Sequence, residues 1–197
     1  MKRKVIGLTG GIGSGKSAIL EAFAALGIPA YDCDSRTKAL YREDAGLARS
    51  VADLLGEDVL GPDGFPDTKK MAARLFGNRP LLEKLEAVVH PAVAQDFVKW
   101  ADSQPSDIVI IESAILLEKP FFDKFADFVI TVSAPEEVRI ARAMRRDGAT
   151  RGQIARRLAN PWTDAQREAR ADMTLTTNDE AAALPRILEL IEHLKHS

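Results

Sequence analysis

Residue types suited to handling phosphate occur at four places along this chain. The first is Gly10-Gly11-Ile12-Gly13-Ser14-Gly15-Lys16-Ser17, which fits the pattern GxxxxGK[ST] at every position. Glycines let a backbone adopt positive φ and come close to an anion, so successive N–H groups can be aimed at phosphate oxygens. Lys16 offers a point charge to the β- and γ-phosphates, and the Ser17 hydroxyl suits Mg²⁺. The second place is the acidic pair Asp32 and Asp34. The third is Glu112, closing the apolar run Ile108-Val109-Ile110-Ile111, with Glu118 following it. The fourth is a basic stretch that includes Arg139, Arg142, Arg145, Arg146, Arg151, Arg156 and Arg157. Such a set suits the passage of a terminal phosphoryl group from a nucleoside triphosphate to a hydroxyl.

The elements that must hold these residues are legible from periodicity. Lys4-Val5-Ile6-Gly7-Leu8 reads as a buried strand ending at the glycine cluster, and Ile19, Leu20, Phe23 and Leu26 give a helix from Lys16 that Gly27 closes. The glycine motif therefore falls between a strand and a helix, the context that gives it meaning, and that helix adds unpaired N–H groups and its dipole's positive end. Residues 28–32 read as a second strand and 35–41 as a helix. Helices are expected near 47–55, 69–76, 81–89 and 91–102, with strands at 107–112 and 127–132. A helix over 135–146 is followed by a break at Asp147-Gly148, more helix to Leu158, and a short strand at 173–176. In the C-terminal helix, Leu184, Ile187, Leu188, Leu190, Ile191 and Leu194 read as the inward stripe. Alternating strands and helices predict an α/β P-loop NTPase fold, a three-layer sandwich around a parallel sheet of about five strands. Residues 1–43, 106–134 and 172–197 would form its nucleotide-binding core, 44–105 a helical substrate-binding insert, and 135–171 an Arg-rich lid.

Bulk properties narrow the class. With 197 residues the chain suits one such domain. Its 27 basic against 29 acidic residues give a net charge of -2, which argues against a dedicated nucleic-acid binder. No apolar run reaches the roughly 18–20 residues of a membrane span, and the basic start Lys2-Arg3-Lys4 lacks the apolar core of a signal peptide. The expectation is a cytoplasmic protein with small-molecule substrates, no nucleic-acid or membrane partner, and a monomeric or weakly oligomeric state. Cys33 is the single cysteine; no His lies near it in sequence, and it reads as a small buried side chain.

Each candidate carries a bland alternative. Asp32 and Asp34 end the second strand, where open α/β sheets place ligands, but aspartates also cap the helix that follows. Two apart on extended backbone, they would share a side. Glu112 is placed to order Mg²⁺ through water, or is an acidic strand end; Glu118 either meets substrate or braces its loop. Arg139, Arg142 and Arg146 fall within roughly 60° on a helical wheel. They read as a lid over the transferring phosphate or as a solvated charged face. His90 precedes Pro91 and is a substrate-side candidate or a helix-entry residue.

Leu8-Thr9 followed by the glycine motif, then Asp32-Cys33-Asp34, resembles the dephospho-CoA kinase family. So do His90-Pro91, Glu112 to Glu118, Arg142 to Gly148, and Ala171-Asp172 with Asn178. The resemblance runs in order along nearly the whole chain. It implies transfer of the γ-phosphoryl group of ATP, with Mg²⁺, to the ribose 3′-hydroxyl of dephospho-CoA, giving CoA and ADP. It further implies that Gly11, Ile12, Gly13, Ser14, Gly15, Lys16, Ser17 and Ala18 bind ATP, and that Lys16, Asp34 and Arg142 are catalytic. Asp32, Asp34, His90 and Glu118 would meet the acceptor, and Ser17 and Glu112 (via water) the metal. Asp34 is favoured over Asp32 as the base. The chain departs from the family's Asp-x-Pro-Leu-Leu-Phe-Glu at Glu112, Ala114 and Leu117. It also has Ala18 where Thr is usual, Arg139 where Gln is frequent, and Asp179 in place of an Asn-x-Gly ending. A kinase of a nucleoside or sugar-acid hydroxyl on the same scaffold is the second reading. A nucleotide-dependent switch or nucleic-acid-associated NTPase using the Arg139–Arg157 stretch is the third.

Overall fold

The computed structural model describes residues 3–119, 122, 124–158, 162–177 and 180–196, so Asn178 and Asp179 lie outside the described residues. It resolves into two units, Met1–Tyr31 with Gln104–Ser197, and Asp32–Ser103.

The first unit is built on β-branched runs that lose little by being extended and gain by being buried on both faces. Strands β1 (Lys4–Thr9), β2 (Ala30–Asp32), β3 (Ile108–Glu112), β4 (Phe128–Ser133) and β5 (Met173–Thr176) form one parallel sheet in the order β2-β3-β1-β4-β5. β2 opens the second unit with its last residue. In β3 every residue is buried, as its unbroken apolar run requires. Ile108 and Ile110 join a core with Ile6, Leu8, Ile130, Val132 and Leu175. That core is covered by Ile19 and Phe23 of α1 (Lys16–Ala25) and by the last helix, α9 (Glu180–His196). Phe23 and Ile187 have no exposed surface, and each such side chain contributes about 1.5–3 kcal/mol of burial.

Register decides what gathers at the carboxyl ends of the strands. Leu8 lies opposite Glu112, Thr9 opposite Thr131, and Ser133 opposite Thr176. The glycine loop after β1, Glu112, and the residue after β5 are thereby brought to one edge, where open parallel sheets bind ligands. Between β4 and β5 run α6 (Glu136–Asp147), which ends in Gly148 at φ 63°, α7 (Arg151–Leu158) and the short α8 (Asp164–Glu168). The inward stripe of α9 differs from expectation. Ala183, Ile187, Leu190, Ile191 and Leu194 are buried, whereas Leu184 and Leu188 are 45% and 44% exposed. A step of one residue turns a side chain by about 100°, which carries both leucines off the packed face.

The second unit is helical. Aspartates start three of its helices: Asp32 caps α2 (Cys33–Glu43), Asp44 caps α3 (Ala45–Leu55) and Asp67 caps α4 (Thr68–Leu75). A single-turn 3₁₀ segment spans Glu57–Val59. The expected break at His90-Pro91 is absent, because α5 runs unbroken over Arg79–Ser103 with Pro91 inside it. Leu85, Val89, Val93, Phe97 and Ala101 are buried at four-residue intervals across the proline. Their combined burial at about 1.5–3 kcal/mol for each larger side chain outweighs the roughly 3 kcal/mol an interior proline costs. Cys33 is buried at the start of α2. Among the described residues no helix is long and apolar enough to cross a membrane.

Candidate active site

The glycine loop leaves β1 at Thr9 and enters α1 through Gly15, whose φ of 98° is left-handed, and no side chain caps that helix start. Lys16 folds back over the loop: its Nζ donates to the Gly10 carbonyl at 2.9 Å and lies 3.6 Å from Glu112 Oε1. Glu112 is 8% exposed, held beside the loop by the β1–β3 register. Ser17 is exposed in the first turn of α1, and Ala18 follows it with its N–H on the Gly15 carbonyl at 3.1 Å.

The loop is clamped from outside by side chains from distant segments. Arg139 of α6 is buried, and its Nε donates to the Ile12 carbonyl at 2.9 Å. A Cβ at Gly11 would strike the Arg139 guanidinium, and one at Gly13 (φ 74°) would strike the Arg139 main chain. Thr177, just past β5, donates through Oγ1 to the Ser14 carbonyl at 2.5 Å. A Cβ at Gly15 would meet that hydroxyl at 2.6 Å. Arg142 secures Thr177 in turn, giving Nη1 to its Oγ1 and Nη2 to its carbonyl, both at 2.7 Å, with Nη1 3.5 Å from the Ser14 carbonyl. The glycines thus serve close tertiary contact. The C=O and N–H of one trans peptide point opposite ways. Drawing the Ile12 and Ser14 carbonyls outward therefore turns the Gly13 and Gly15 N–H groups to the other side.

Arg146 is placed differently from its two neighbours on the wheel. It is exposed and pairs with Asp147, as Arg157 does, while Arg151 pairs with Glu137. Exposed pairs of this kind, screened by water, contribute little. Glu118 lies in an ion pair with Arg167 at 2.5 Å, both side chains 9% exposed, so its carboxylate braces the turn after β3 against α8. Arg167 also reaches Asp164 at 3.4 Å, and Asp164 meets Arg139. Sequence reasoning did not find Asp164, Arg167 or Thr177. Only the start of α8 had a local signal, the Thr163-x-x-Gln166 capping box, which the structure forms.

Asp32, Asp34 and His90 belong to the second unit. Asp32 caps α2 with both oxygens engaged, Oδ1 accepting from the Ser35 N–H at 3.0 Å and Oδ2 from the Ser35 hydroxyl at 2.7 Å. Asp34 is exposed and already lies in the first helical turn. The helix starts at Cys33, so the two carboxylates are not side by side on extended backbone as expected. His90 is half-buried midway along α5 rather than at a helix entry.

The donors suit a hard cation carried by a nucleotide. Among the described residues no cluster of three or more His, Cys, Asp or Glu side chains could hold a metal ion unaided. One exposed hydroxyl at Ser17 and one carboxylate at Glu112 are what Mg²⁺ takes from protein when phosphates and water fill its other positions. A separate cavity of about 720 Å³, lined by Lys4, Ile28, Ile108 and Ile191, opens at the amino ends of β1 and β3, away from these groups.

A parallel sheet whose first strand runs through such a loop into a helix defines the P-loop nucleotide-binding proteins. Residues 4–183 match the dephospho-CoA kinase family, and the chain belongs to it. Members of that family are ATP-dependent transferases that phosphorylate dephospho-CoA in the final step of coenzyme A biosynthesis. A dephospho-CoA kinase from Porphyromonas gingivalis is 37% identical over 96% of this chain and 94% of its own length. Among solved structures, a Thermus thermophilus protein is similar at TM-score 0.86 and 29% identity, covering 98% of both chains. A dephospho-CoA kinase from Campylobacter jejuni shares the fold at TM-score 0.57 and 20% identity, again over 98% of both.

Proposed function

We propose that this chain transfers the γ-phosphoryl group of ATP to the 3′-hydroxyl of the ribose of dephospho-CoA, releasing ADP and CoA. The observation that carries the reading is the entry into α1: a left-handed Gly15, no side-chain cap, and Lys16 across the loop from Glu112. Gly11 to Ala18 bind the triphosphate through main-chain amides. Lys16 exchanges its contact with the Gly10 carbonyl for the β- and γ-phosphates, where its charge opposes the negative charge of the transferring group. Ser17 would hold Mg²⁺ directly and Glu112 through water; bound there, the ion neutralises phosphate charge.

The acceptor's 3′-oxygen forms the new bond to phosphorus as the bond to the β–γ bridging oxygen breaks and ADP leaves. The hydroxyl proton passes to Asp34. Asp34 suits this better than Asp32, whose two oxygens are engaged in capping α2. A carboxylate can serve here because a loose transition state removes the proton late. Arg142 supports the loop through Thr177, and the family resemblance makes it the arginine that meets the transferring phosphoryl group. His90 and Glu118 act on the acceptor side, Glu118 by bracing its turn. The reading places the enzyme in the cytoplasm, as a monomer or a weak oligomer. Its test is incubation with ATP, Mg²⁺ and dephospho-CoA beside a panel of nucleoside and sugar-acid acceptors. ADP and CoA should form in equal amounts, and ADP release with another acceptor but not with dephospho-CoA would reject it.

A further inference from the structure

We infer that Asp164 is a positioning residue for the nucleotide site, acting through Arg139; this rests on the glycine loop's binding of triphosphate proposed above. Arg139 is 7% exposed, and a guanidinium so removed from water needs a counterion. Asp164 supplies it, meeting Nη1 while Nε holds the Ile12 carbonyl. The side chain is therefore stretched between two anchors 25 and 127 residues away in sequence. Gly11 leaves the space the guanidinium occupies.

The consequence falls on one peptide plane. Arg139 draws the Ile12 carbonyl to the outer face of the loop, so the N–H of Gly13 in the same peptide points the opposite way. Asp164 keeps Arg139 on that carbonyl and keeps its charge occupied, so Arg139 organises the loop without itself binding phosphate. Asp164 is fixed in its turn by the Thr163–Gln166 capping box at the start of α8 and by Arg167 at 3.4 Å. Without the carboxylate, the buried guanidinium is uncompensated between the loop and Arg167, and the Ile12 peptide is released.

The experiment is calorimetric titration of Mg–ATP into wild type, Asp164→Asn, Asp164→Glu and the double variant Arg139→Met/Asp164→Asn, which has no donor for the Ile12 carbonyl, with thermal unfolding and steady-state kinetics on each. If the loop is competent for a tenth of the time, the Kd for ATP in Asp164→Asn rises about tenfold. The KM for ATP should follow the Kd, while the KM for dephospho-CoA stays within about twofold and Asp164→Glu recovers most of the affinity. A folded Asp164→Asn with wild-type affinity overturns the inference. Tighter binding also overturns it, because Arg139 would then be a phosphate ligand that Asp164 holds back. Should Asp164→Asn fail to fold, the double variant, which lacks both charges, must bind ATP as weakly; wild-type affinity there overturns the inference. Wild type silent toward ATP sinks the nucleotide reading itself, a separate result.

Discussion

Replacing Thr177 by Val tests whether the glycine loop is held from behind. The two side chains have nearly the same shape, so the change removes a hydroxyl and little else. That hydroxyl, on a residue 2% exposed, donates to the Ser14 carbonyl at 2.5 Å and accepts from Arg142 at 2.7 Å. A buried carbonyl that loses its close donor and keeps only the long 3.5 Å contact from Arg142 costs about 1–3 kcal/mol, and the bond from a charged donor is worth about 1.5–3 kcal/mol. Arg142 keeps its second bond to the Thr177 carbonyl and is half-exposed, so water recovers part of the latter. The net expectation is a loss of about 2–4 kcal/mol. At about 2–4 °C per kcal/mol for a chain of this size, Tm falls by roughly 4–16 °C. Function should change with it. The Ser14 peptide is freed to rotate, the Gly15 N–H is no longer directed, and the KM for ATP rises by about tenfold if the competent loop falls to a tenth of the population. Thr177→Ser retains the hydroxyl and should stay within about 1 kcal/mol of wild type, the worth of one buried methyl. The assays are thermal unfolding and steady-state kinetics with dephospho-CoA as acceptor. A Thr177→Val protein that melts with wild type and has an unchanged KM for ATP would refute the clamp.

Three further perturbations separate chemistry from stability. Lys16→Ala should lower kcat by about 10²–10³, the usual loss for one donor to developing charge; comparable kcat in a folded variant would remove Lys16 from the mechanism. Asp34→Asn should lower kcat by about 10²–10⁴ while shifting stability by no more than about 0.5 kcal/mol, since the side chain is exposed; a wild-type kcat would reassign the base. Tyr41, buried on α2, has its phenol pushed up to about 12 by desolvation. Its neutral form is favoured in the folded state, so the stability it contributes is present below pH 10 and is lost as pH rises from about 10 to 12. The loss sums to about 2–3 kcal/mol. Tyr41→Phe should flatten this alkaline limb of a pH–stability curve, and an unchanged limb would show that another group governs it.

Local patterns predicted the strands and most helices because each is set by neighbours in sequence. Ile108 to Ile111 can be satisfied only by burial on both faces, and residues 47–55 carry helical spacing. Where prediction failed, long-range packing outweighed a local preference, or one local signal outweighed another. Pro91 suggested an end that the buried row Leu85, Val89, Val93, Phe97 overrides; Cys33, expected on extended backbone, begins α2 instead because the local Asp32 cap starts the helix there. The outward placement of Leu184 and Leu188 belongs to the first class, since an apolar helix with six candidate inward residues has more than one possible stripe.

The glycine loop was complete in the sequence, because phosphate recognition by main-chain amides needs a contiguous run of residues that can take φ values such as those of Gly13 and Gly15. The placement of Glu112 beside that loop follows from strand register, and the assignment of Arg139, Arg142 and Thr177 to its outer face follows from packing over 127 to 163 residues of sequence. An arginine's spacing on a helical wheel tells which side it shares with its neighbours, not what stands opposite. Only the folded chain settles that, because a guanidinium seeks whichever carbonyl or carboxylate the tertiary structure brings within reach.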